Sequence, residues 1–213
     1  MANFEAKIRG MKHAYFCMLS VVGLLSLVGC SATKFVPDGQ YLLNKATVKV
    51  EDTHEVLSQD LRNYLQQKQN TEILGFWKLQ LGIYNTASQD TAKWTSRNAR
   101  KIGEPPVIFS EELTERSMQQ LENAMDNKGY FQAEIDTTKE VKDKKLNLTY
   151  HVTANTPYHI RNYTISFPNA DLQQIAASER FRLLHEGMRF DVDAMNQERQ
   201  RVASAMRRNG CYY

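Results

Sequence analysis

Apolar and polar positions along the chain follow helical spacing in one long stretch, and the same stretch returns 81 residues later. Behind Phe109 and Ser110 the stripe Leu113, Leu121, Ala124 and Met125 runs to Gly129, with Phe131 beyond it. Behind Phe190 and Asp191 the stripe Ala194, Val202, Ala205 and Met206 runs to Gly210, with Tyr212 beyond it. Ser and Asp both accept hydrogen bonds from the free amides of a first helical turn, and Gly suits the left-handed position that closes a helix. Cap, stripe, Gly and aromatic in one register predict two copies of a single module, the second incomplete at Tyr213.

Around these helices the period shortens to two. Val48 and Val50 oppose Thr47 and Lys49, so Ala46 to Glu51 reads as a strand, and Leu57, Leu61, Tyr64 and Leu65 then predict a helix. Phe131, Ala133 and Ile135 alternate with polar neighbours. Lys139 to Lys145 turns the chain, and Leu146, Leu148, Tyr150 and Val152 complete a hairpin with one buried face. Residues 70 to 108 have no counterpart in the second copy and read as an insertion, in which 75 to 84 fit a strand or a buried helix equally. Asn155 to Pro157 reads as a linker. Ile160 to Phe167 predicts a strand, Asp171 to Ala177 a short helix, and Asp191 to Asn209 the second long helix, with a hairpin starting at Cys211. The fold class is α+β: two tandem β-α-α-β-β modules, residues 46–154 and 157–213, the second truncated, where the complete module is a three-stranded mixed sheet with two helices on one face.

The N-terminus departs from this pattern. Lys7, Arg9 and Lys12 precede an apolar run from Ala14 to Gly29, the layout of a secretory signal, with Met1 or Met11 as its start. The run is short for a membrane span. It ends in Leu27-Val28-Gly29-Cys30, which resembles a bacterial lipobox and marks Cys30 for acylation. Residues 30–45, with the turn Pro37-Asp38-Gly39, then read as a lipid tether. Without residues 1–29 the net charge falls from +3 to +1, so no concentrated basic stripe favours nucleic acid. Arg199, Arg201, Arg207 and Arg208 read as a solvated helix face. Cys17 would leave with the signal and Cys30 would carry lipid, which leaves Cys211 without a disulfide partner.

The order β-α-α-β-β behind an export signal resembles the POTRA domain of the outer-membrane assembly family that includes BamA and TamA. The second helices end in Asn127-Lys128-Gly129-Tyr130-Phe131 and Asn209-Gly210-Cys211-Tyr212-Tyr213, and Pro157 to Phe167 looks like the opening strand of such a domain. With the lipobox and the stretch Gly103-Glu104-Pro105-Pro106-Val107, the chain is similar to the lipid-anchored, TamA-like subgroup of TamL type. The resemblance implies a periplasmic arm on the outer membrane, held by lipid on Cys30 and followed by a β-barrel. It also implies as partners unfolded outer-membrane or surface proteins and a TamB-like periplasmic protein. Ser31 to Phe35 lacks the acidic residues of surface-export signals and Ser31 is not the Asp of an inner-membrane retention signal, so the periplasmic face of the outer membrane is expected.

A three-stranded sheet leaves an edge whose unpaired amides and carbonyls can take up another strand. The candidate edge is Gln132, Ala133, Glu134, Ile135, Asp136 and Thr137, because in the family the strand after the second helix lies at the sheet margin. No cofactor is expected beyond the covalent lipid. His54, His151, His159 and His185 lack metal-ligand spacing, no nucleophile elbow or phosphate loop occurs, and Asp191 and Asp193 fit a helix start rather than a carboxylate pair. No enzyme activity is expected. The alternative reading is a stand-alone outer-membrane lipoprotein scaffold without a barrel.

Overall fold

The structure is a computed structural model that describes residues 32–75, 77–88, 93–167, 169–176 and 182–210. The signal, Cys17, Cys30 and the hairpin start at Cys211 lie outside the described residues. The element order is β1 (Leu42–Val50), α1 (Ser58–Leu61) with a 3-10 turn (Arg62–Tyr64), α2 (Leu79–Thr86), α3 (Trp94–Ile102) and α4 (Glu111–Asn127). It continues with β2 (Glu134–Lys142), β3 (Lys145–Thr153), α5 (Ala170–Ala176) and α6 (Val192–Arg208).

The strands form one sheet in the order β1-β3-β2. Strands β2 and β3 are joined by Asp143 and Lys144, both at positive φ (50° and 61°), the mirror-image turn whose twist matches a tight antiparallel hairpin. Leu42 N–H donates to Lys144 O and Glu51 N–H to Val152 O, so β1 and β3 advance together and are parallel. The sheet is therefore mixed.

Contacts divide the chain into two units. One comprises the stretch up to Lys45 with Lys68–Phe109 and Glu140–Asn147; the other comprises Ala46–Gln67, Ser110–Lys139 and Leu148 onward. In the first unit Val36, Leu42 and Leu81 form a buried cluster joined by Ala32 and Ile108. In the second, Val48, Leu61, Leu121, Met125, Leu148, Tyr150 and Val152 are buried. These include the apolar stripe of α4 and the inward face of β3, the two periodicities read from the sequence.

Several boundaries differ from expectation. The first strand begins at Leu42, so the end of the expected tether belongs to the sheet. The expected helix over 57–65 is a single α-turn and a 3-10 turn, because Leu57 at its start offers no side-chain cap. Leu74 and Gly75 at positive φ make a turn bridged by Ile73 and Trp77, after which the ambiguous segment becomes α2. Residues 161–167 take up no ladder among the described residues; the one bridge nearby joins His159 to Arg189.

Candidate functional site

The two margins of the sheet have different neighbours. On the β1 side, Leu43 N–H donates to Val107 O and Phe109 N–H to Tyr41 O, both at 2.8 Å, so the end of the insertion covers the start of that margin. Further along, Lys78 donates to Asn44 O, and Ser58 Oγ accepts from Val50 N–H at 3.3 Å. On the other side lies β2, and no strand pairs with its outer edge among the described residues.

The two-residue turn sets which groups of β2 are open. It pairs Lys142 with Lys145, and alternate residues back along the ladder bond to β3, which turns the amides of Ile135, Thr137 and Val141 outward. Of the predicted edge, Glu134, Ile135, Asp136 and Thr137 lie in β2, whereas Gln132 and Ala133 lie in the turn before it. The Gln132 carbonyl is already used, since it accepts from Asn155 Nδ2 at 2.7 Å. The Ile135 side chain is buried in the core, so only its backbone can serve an incoming strand. Lys139 is tied to the helix face through Glu111 at 2.5 Å, and Thr138 Oγ1 lies 3.1 Å from His151 Nε2. Cross-strand neighbours thus hold the margin extended.

Next to this margin the first module joins the second. Tyr158 N–H donates to Gly129 O and Phe190 N–H to Tyr158 O, both at 2.8 Å. The Phe131 ring meets Tyr158 edge-on at 5.2 Å and Phe190 at 5.3 Å between centroids, geometry that aromatic pairs favour. Arg189 donates to Glu55 (2.6 Å) and Tyr130 Oη (3.2 Å), and its other nitrogen lies 3.8 Å from Asp191. The joint admits no side chain at Gly129: a Cβ there would stand 2.5 Å from Phe190 O.

Sequence reasoning missed one cluster in the second module. Arg201 is not on a solvated face but is mostly buried, donating twice at 2.8 Å to Glu198, itself only 2% exposed. Tyr163 Oη donates to the same carboxylate at 3.1 Å and Leu183 N–H at 3.0 Å. The Arg201 guanidinium, with these two donors, outweighs burial and holds the Glu198 carboxyl down to about 2. Beside it, Tyr163, Ile165, Phe167, Val202 and Met206 line a groove of 630 Å³. The other predicted arginines, Arg199, Arg207 and Arg208, are exposed.

Asp191 caps α6, where its side chain accepts from Ala194 N–H at 3.0 Å. Among the described residues no three His, Cys, Asp or Glu side chains come together as a metal site, and no helix is long and apolar enough to cross a membrane.

Residues 46–155 match the sequence family described as "POTRA: Surface antigen variable number repeat". No curated protein matches the chain. Among solved structures, the crystal structure of Haemophilus influenzae BamA POTRA3-5 aligns with 84% of this chain and 90% of its own, at 13% identity and a TM-score of 0.26. The family match begins within β1 and runs through β2 and β3.

Proposed function

The chain belongs to the POTRA family, and on that premise we propose that it is the periplasmic arm of an outer-membrane protein assembly or translocation factor of BamA/TamA kind, which binds unfolded clients by strand addition to β2. The observation that carries this reading is the free margin of β2 beside a β1 margin partly covered by the insertion. An extended client gains main-chain hydrogen bonds from the outward amides and carbonyls of Ile135, Thr137 and Val141 without needing one particular sequence. That suits a protein that must accept many outer-membrane or surface proteins.

In this reading the chain is a lipid-anchored, TamA-like protein of TamL type. Acyl groups on Cys30 hold it to the periplasmic face of the outer membrane, and several chains on one residue anchor far better than a single one. A TamB-like periplasmic protein would use the same margin or the joint next to it. The role is one of binding and positioning, without catalysis.

Thr137→Pro tests the reading. Position 137 turns its amide outward, so proline there removes a docking donor and leaves the β2–β3 ladder in place. With a photo-crosslinking residue at the exposed position Asp136, the yield of crosslinks to unfolded clients should fall about ten-fold while the melting temperature stays within a few degrees. Unchanged crosslinking in a folded Thr137→Pro chain would sink strand addition at β2.

A further inference from the structure

The insertion that separates the first module from its repeat carries an exposed face that the strand-addition reading does not use. Helix α3 has Ser96 buried and Asn98, Ala99 and Arg100 half-buried, so at 100° per residue its outer arc centres on Trp94 and Lys101, with Ile102 on one flank and Arg97 on the other. Trp94 is 70% and Ile102 67% exposed. From Lys93 to Ile102 there is no acidic residue, against Lys93, Arg97, Arg100 and Lys101. None of Lys93, Arg97 and Lys101 pairs with a carboxylate among the described residues.

A bare Trp and Ile flanked by unpaired cations is the composition of a helix that lies at a membrane surface. The indole settles at headgroup depth, the aliphatic chain enters the acyl boundary and the cations meet anionic phosphates. A protein groove would ask for a wider apolar stripe than two residues on nine.

The chain leading from Cys30 is fastened to this same insertion. Lys34 Nζ donates to the carbonyls of Asn85 (3.0 Å) and Ala87 (2.7 Å) at the end of α2. Phe35 packs edge-on against Tyr84 at 5.5 Å, and the Arg100 guanidinium of α3 sits 5.5 Å from the Phe35 ring. Four residues separate Cys30 from Lys34, a reach of at most about 14 Å. Acyl chains on Cys30 would therefore hold α2 and α3 close against the leaflet they enter.

A second feature of the insertion points the same way. Leu74 stands at the tip of the Ile73–Trp77 turn at φ 55°, a conformation leucine rarely adopts, and is 78% exposed. The base of that turn is tied down: Thr71 N–H donates to Glu104 at 2.9 Å, and Glu104 N–H to Gln80 O at 3.1 Å. A strained, bare leucine on a fixed base is costly in water unless something covers it.

We propose that the insertion seats the arm on a bilayer leaflet bearing anionic headgroups, through Trp94, Ile102, Arg97 and Lys101 of α3. The proposal rests on the anchor reading for its geometry, because Cys30 supplies the tether. Its consequence is orientation. An anchored chain with a seated insertion cannot swing freely on its lipid.

The test uses the full chain carrying Trp77→Phe, which leaves Trp94 as the one tryptophan. It is reconstituted in vesicles of phosphatidylethanolamine and phosphatidylglycerol containing brominated phosphatidylcholine. Trp94 emission should move to the blue and be quenched about two-fold, and Arg97→Glu with Lys101→Glu should return it to the unquenched level while circular dichroism stays unchanged. Unquenched Trp94, or quenching that survives the charge reversal, overturns the seat. The mass of the peptide containing residue 30 reads the anchor separately. An unmodified Cys30 with quenched Trp94 removes the anchor and supports the seat, whereas an acylated Cys30 with unquenched Trp94 keeps the anchor and overturns the seat.

Discussion

Helices α4 and α6 begin and end alike, yet they hold their modules by different chemistry. Ser110 and Asp191 each accept from the amide three residues on, both helices run 17 residues, and both close on a glycine, Gly129 at φ 86° and Gly210 at φ 84°. Midway, at the same step of the repeat, stand Ser117 and Glu198. Ser117 Oγ accepts from Gln66 N–H at 3.0 Å; Glu198 accepts from Leu183 N–H at 3.0 Å. Each helix thus latches the loop that crosses it, in one case with a neutral hydroxyl and in the other with a buried carboxylate that also needs Arg201 and Tyr163. A repeated frame preserves where a latch is needed and leaves open what makes it.

The two closing glycines provide the largest contrast. Gly129→Ala adds a methyl against Phe190 O at a left-handed position, whereas Gly210→Ala meets open space at nearly the same φ. The first should cost about 3 kcal/mol, from backbone strain and overpacking together, and the second about 1 kcal/mol from strain alone. Denaturant unfolding of both variants measures this, and equal losses would mean that the Phe190 contact is unimportant.

The latches come next. Glu198→Ala leaves Arg201 mostly buried without its counter-ion and should cost on the order of 2 to 3 kcal/mol, against about 1 kcal/mol for Ser117→Ala, which removes a single neutral acceptor. Native-state hydrogen exchange should place the first loss in the second module and the second in the first.

Acidity separates the same pair in another way. Glu198 titrates at about 2 when folded and near 4.5 as a free carboxyl, so its contribution is complete above about pH 4.5 and is lost as pH falls towards 2. The gap between wild type and Glu198→Ala should close over that window, while the gap to Ser117→Ala stays flat. A pH-independent gap for Glu198→Ala would contradict the buried ion pair.

The caps should show the smallest difference. Ser110→Ala and Asp191→Ala should each cost about 1 kcal/mol, because the two side chains do the same work for the same amide. A calorimetric comparison showing one cap worth several times the other would break the equivalence of the two copies.

What the sequence disclosed follows the same division. Caps, stripes and closing glycines act within a few residues, so Ser110, Asp191, Gly129 and Gly210 were readable from order alone, as was the hairpin of β2 and β3. Of the expected edge over 132–137, Glu134 to Thr137 fall in β2, which starts at Glu134 rather than at Gln132. Glu198 and Arg201 were not readable as a buried pair. Three residues apart on a helix they look like any surface ion pair, and their burial comes from Tyr163 and Leu183, distant in the chain. The alternation of residues 160 to 167 predicted a strand, but a strand also needs a neighbour to bond, and no described residue offers those residues a ladder.

The side chains of β2 add a selectivity that its backbone lacks. Across nine residues it carries Glu134, Asp136, Lys139, Glu140 and Lys142. Stacking this strand in register on a second copy of itself would set every charge directly against its like, which penalises pairing at each of those positions. The margin is therefore poorly suited to seed a fibril of its own kind.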